Sequence, residues 1–174
     1  MTTAYHGDAQ LKAKHIRSLL AHKRADSILQ GTYGEFHGSG KAWKGCAVAC
    51  SLRSMIKARG EFDRKRESYG DHEELARLMG APLELFHLQD RVFEGLAPEL
   101  AREWPLRFAR AVRPGADLSL VWSRFAVIIL SDPERGVQRH ASERGKSAIA
   151  AVCALFDRRI AGSEPSSKEW AAAA

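Results

Sequence analysis

Cysteine is scarce in this chain: three residues in 174, at positions 46, 50 and 153. So few thiols, with no paired Cys-x-x-Cys spacing, fit reduced cysteines rather than a disulfide framework. Long apolar runs are missing too. The longest, Phe125 to Leu130, falls far short of the roughly 20 residues that span a bilayer. The first residues, Met1 to Asp8, lack the apolar stretch of a signal peptide. These absences predict a cytoplasmic protein with no membrane partner. Two-residue alternation and hairpin dipeptides are also lacking, which removes the usual signals of a sheet. No zinc-finger, RNP or KH signature marks a nucleic-acid module.

What remains is helical periodicity almost throughout. Hydrophobic residues make up 45% and charged residues 28%, enough for one domain with a real core. The expected fold is all-α: a single compact domain over residues 1–170, of roughly six or seven helices. Residues 171–174, all alanine, resemble a cloning scar.

Helix starts and stops follow from caps. Asp8 caps a first helix expected to run to Gln30, stopped by Gly31. His15 and His22 fall on its apolar face with Leu11 and Leu29. A second helix is expected over Cys46–Ala58 and stops at Gly60. A short one spans His72–Met79. Pro82 opens another to about Gly95, and Pro98 one to about Val112, which Pro105 should kink or divide. From Asp117 to Leu130 nearly every side is apolar, which predicts a helix buried at the domain centre. Arg124 is the one charge from Leu118 to Leu130, so burial there would demand an acidic partner or a bound anion. A last helix is expected over Ser142–Ala161, followed by a frayed polar tail.

The segment with most chemistry is Gly31–Gly45 and the cysteines after it. It combines glycines, Tyr33, Phe36, His37, Lys41, Trp43 and Lys44 with Cys46 and Cys50. A helix start offers unpaired amides, which suit an anion or a thiolate. Two readings follow. In one, Cys46 is an activated nucleophile and Cys50, a turn deeper, its resolving partner, making a thiol-dependent enzyme or redox sensor. In the other, both are small core residues. A phosphate-binding P-loop fails on spacing: Glu35 stands where glycine is needed and Ala42 where Ser or Thr is needed. A metal site built from His15, His22 and the cysteines is a third arrangement, but two thiolates lack two further ligands at suitable spacing. No metal or cofactor is therefore expected.

The net charge is +6 and the isoelectric point near 9.5, compatible with a protein or nucleic-acid partner. Lys12, Lys14, Arg17, Lys23 and Arg24 form one basic cluster. Lys57 and Arg59 with Arg64, Lys65 and Arg66 form a second. Four phrases, Gly45-Cys-Ala-Val-Ala-Cys50, Asp90-Arg-Val-Phe-Glu-Gly-Leu96, Trp104-Pro-Leu-Arg-Phe108 and Gly115-Ala-Asp-Leu-Ser-Leu-Val-Trp122, together resemble a group of bacterial and phage-type hypothetical proteins. The resemblance spans Tyr5 to Val137 and implies a shared fold, with no assigned reaction. The expectation is a small helical binding protein, of the size and class of a phage-related inhibitor or regulator. Its contacts would come from His37, Lys41, Trp43, Lys44, Arg64, Lys65 and Arg66.

Overall fold

The structure, a computed structural model, describes residues 3–37, 42–63 and 69–173. The chain is all-α, with one two-stranded ribbon among the described residues. It divides into two compact units, Met1–Leu118 and Ser119–Ala174.

The N-terminal unit holds α1 (Ala9–Arg24), β1 (Glu35–His37), β2 (Ala42–Lys44), α2 (Ala47–Arg59), α3 (His72–Met79), α4 (Leu83–Gly95) and α5 (Pro98–Ala111). Asp8 caps α1 as expected, accepting from the Gln10 and Leu11 amides. Asp71 caps α3. Gly60 and Gly80 close α2 and α3 in the left-handed conformation. α2 packs on α1, α3, α4 and α5, and its residues Ala47, Val48, Ala49, Cys50, Leu52 and Met55 are wholly buried. It is the axis of this unit. The apolar helix expected in that role lies elsewhere.

Three expectations change here. α1 ends at Arg24, not Gln30. No glycine or proline stops it; Ala25 caps it and Asp26 takes a positive φ of 51°. The next residues leave the helix to pair with Gly45: its amide donates to the Ser27 carbonyl (2.8 Å) and its carbonyl accepts from Leu29 (2.9 Å). Leu29, expected on the apolar face of α1, is exposed. Next, a hairpin exists where none was expected, pairing Phe36 with Trp43 and Glu35 with Lys44. Its three-residue strands are too short to show alternation. Last, α5 runs unbroken through Pro105.

A short 3-10 turn, Ala4–Gly7, precedes α1. Ala4 and Tyr5 are fully buried. Tyr5 and His6 both have φ of 52°, a costly conformation for residues with side chains. Backbone bonds from Ala4 to Ala116 and from Gly115 to Ala4 (2.9 and 2.8 Å) hold the turn in place.

The C-terminal unit contains α6 (Val121–Ser131), α7 (Glu143–Ile160) and α8 (Ser167–Ala173). α6 is the very apolar helix, but it is not a buried one. Only Ser123 and Ala126 are buried on it, and Ile128 is 60% exposed. Arg124 is exposed as well, so it needs no buried acidic partner. α7 starts on a Ser142 cap. The tail expected to fray folds back instead: Trp170 meets Phe156 (4.8 Å between ring centres) and Glu169 pairs with Arg158 (2.5 Å). Ala171–Ala173 continue α8.

Candidate functional site

The cysteines come first. Cys46 caps α2, its Sγ accepting from the Ala49 amide at 3.4 Å. It is 3% exposed, and burial pushes its thiol up to about 11. Cys50 is fully buried, and its thiol donates to the Gly45 carbonyl at 3.3 Å. Burial, then the neighbouring Cys46, raises its pKa well above the ordinary value. A helix start alone would favour a thiolate, but desolvation outweighs it here. Burial therefore works against the thiolate at both sulfurs. Cys153 is also buried.

The glycines beside them serve packing. A Cβ on Gly45 would sit 2.7 Å from the Trp43 ring and 2.9 Å from Ala49 Cβ. One on Gly34, where φ is +90°, would sit 2.9 Å from the same ring. Trp43, expected as a binding residue, is therefore a core residue at 7% exposure. Lys44 faces Asp26 at 3.8 Å. His37 stands opposite Ala42 in the ribbon. Lys41, Arg64, Lys65 and Arg66 lie outside the described residues.

The histidines separate. His15 is buried, its Nδ1 bonded to the Tyr5 hydroxyl at 3.0 Å. His22 packs against Trp43, 5.1 Å between centres. Burial, with Arg53 and Lys57 nearby, lowers its pKa to about 4, so it is neutral at physiological pH. His72 stacks on His87 at 4.7 Å and points Nε2 at Asp90, 3.5 Å away. Among the described residues no cluster of three or more His, Cys, Asp or Glu is placed to hold a metal ion. No helix there is long and apolar enough to cross a membrane. Glu103 pairs with Lys23, and Glu94 accepts from the Gly31 amide at 3.0 Å.

The concentrated chemistry lies between α1 and α2. Lys14, Arg17, Ser18 and Ala21 follow one stripe of α1. They face Ser54, Lys57, Ala58 and Arg59 on α2 across a groove of about 550 Å³. Small side chains leave the space between the helices unfilled there, and four cations surround the opening. No carboxylate lines it. Arg59 pairs with Glu61 at 3.0 Å. Among the described residues Lys14, Arg17 and Lys57 have no ion pair. Ser54 on the groove lining is fully buried and its hydroxyl has no partner. The cause is in the sequence: α1 and α2 carry no aspartate or glutamate at all, while α3, α4 and α5 carry several. Packing α1 on α2 turns two separate basic segments into one electropositive surface. Tracking acidic residues helix by helix, rather than cations alone, would have revealed this.

A smaller cavity of about 270 Å³ shares Ser18, Ala21 and Lys57 with the groove and adds His22, Ala25, Arg53 and Phe62. Arg53 lies over Trp43 at 4.2 Å, with Phe62 at 5.4 Å and Tyr69 at 5.8 Å. Burial lowers its pKa, and a hydrogen bond with the Tyr69 side chain opposes that shift.

Compared with known proteins, the chain matches no protein-family model, no curated protein and no solved structure. The functional reading therefore rests on the chemistry of this site.

Proposed function

We propose that this protein is a binding module for nucleic acid, gripping the phosphate backbone in the groove between α1 and α2. The observation that carries this reading is the ring of Lys14, Arg17, Lys57 and Arg59 around a groove without a carboxylate. Three of these cations, Lys14, Arg17 and Lys57, have no ion pair among the described residues and would attract a polyanion, and the release of its counterions would drive binding. No Asn or Gln lines the groove to read adenine, and with Arg17 and Arg59 engaged on phosphates affinity should depend weakly on sequence.

The test is binding to short oligonucleotides of unrelated sequence across a salt series. With four phosphate contacts, log Kd should change with log salt at a slope of about 3 to 4. The double substitution Lys14→Gln with Lys57→Gln should reduce that slope by about 2 and weaken all sequences alike. Salt-independent binding, or binding unaffected by this substitution, would overturn the proposal. Capture of an acidic protein in place of oligonucleotides would do the same.

A further inference from the structure

The cavity beside the groove holds a different kind of cation from those around the groove. Lys14, Arg17 and Lys57 are exposed. Arg53 is half-buried and lies on the indole of Trp43, with Phe62 and Tyr69 close by. Aromatic faces hold the guanidinium without neutralising it. Among the described residues no carboxylate pairs with it. A partly desolvated arginine without an acidic partner is an unfinished interaction, and its planar fork suits an oxyanion with two oxygens to offer. Lys57 lines both cavities, and the His22 ring adds one nitrogen-bound hydrogen-bonding group without adding charge.

We infer that the cavity formed by His22, Arg53, Lys57 and Phe62 takes a phosphomonoester, presented by the end of a strand whose backbone lies in the adjoining groove. This rests on the groove's being a nucleic-acid site. Two features separate an end from an internal linkage. Arg53 is pinned by its aromatic neighbours, so the phosphate must enter the cavity to reach it. A terminal group can enter alone, whereas an internal diester must bring the chain in and out again. A terminal phosphate also carries an additional fractional charge at neutral pH and a third free oxygen. The cavity offers two cations and no anion to meet that charge.

The experiment measures Kd for one oligonucleotide sequence in three forms: 5′-phosphate, 3′-phosphate and hydroxyl at both ends. Nucleoside monophosphate serves as a free competitor. For the natural protein, a phosphate on one end should tighten binding about 10-fold over the hydroxyl form. Arg53→Lys retains the charge and loses the fork, so this preference should shrink to about 2-fold. His22→Gln, which leaves Arg53 and its fork in place, should reduce it as well. Neither change should alter affinity for the hydroxyl-ended strand. Equal Kd for phosphate- and hydroxyl-ended strands overturns the inference while leaving the groove reading intact. If no strand binds but nucleoside monophosphate does, in an Arg53-dependent way, the groove reading fails. The cavity is then a site for a free phosphomonoester, and the strand-end assignment is overturned. Thermal melting of both variants checks that they fold. Should Arg53→Lys unfold, the His22→Gln preference decides.

Discussion

The two units are both helical, yet they dispose of apolar side chains in opposite ways. The N-terminal unit gathers Tyr5, Leu19, Trp43, Val48, Met55, Leu75, Phe86 and Phe93 into one cluster fed by every helix it contains. The C-terminal unit owns the most apolar helix of the chain, α6, and leaves Val121, Ile128, Ile129 and Val137 exposed. Apolar composition sets what a helix would gain by burial. Whether it is buried depends on how many elements surround it, and a short unit has too few to cover a helix on all sides. α2 carries serines and cysteines and an arginine, yet it is more buried than α6, because α1, α3, α4 and α5 all pack on it.

Core truncation tests this contrast most strongly. Phe93→Ala in the N-terminal unit should cost about 3 to 5 kcal/mol, read from urea unfolding. A cost near that of a surface change would break the comparison. Gly80→Ala comes next. Its φ is +62° and an added Cβ would collide with the Thr3 carbonyl oxygen. The substitution should lower stability by roughly 2 kcal/mol through strain and displacement of the buried N-terminal turn.

In the C-terminal unit the third test is local. Hydrogen bonds from Arg158 and from Ser166 depress the Glu169 carboxyl to about 2 from an ordinary 4.5. A depressed carboxyl stabilises the fold above its unfolded pKa and loses that effect as pH falls. The attachment of α8 should therefore weaken as pH drops from about 4.5 towards 2. Carbon NMR titration of Glu169 reads this directly, and an ordinary midpoint would refute it. The smallest effect belongs to Ile128→Ala. At 60% exposure it should cost below about 0.5 kcal/mol. A cost of several kcal/mol would show that α6 is covered in solution, erasing the difference between the units.

Legibility in the sequence followed how local each signal is. Asp8, Gly60, Gly80 and Ser142 mark real helix ends because a cap needs only its immediate neighbours. The hairpin did not show, since its pairing of Phe36 with Trp43 depends on the return of Gly45 to Ser27 and Leu29. The end of α1 was hidden for the same reason. Its residues 27–29 leave the helix for a partner beyond the hairpin. The exposure of α6 was illegible because periodicity reports the pattern of a surface and not what lies against it. The groove was half legible. Its cations stood out individually, but their meeting depends on α1 packing on α2.

The buried turn at Ala4 also sets an order of events. Its backbone partners, Gly115 and Ala116, come from the far end of the same unit. A chain made from its N-terminus must therefore hold Tyr5 and its neighbours without their final partners until nearly the whole unit has been synthesised. Helices α1 to α5 can form and associate in the meantime through nearer contacts, but closing this last ring costs loop entropy that only the assembled core can offset. The turn acts as a clasp, fastened after the helices it holds are already in place.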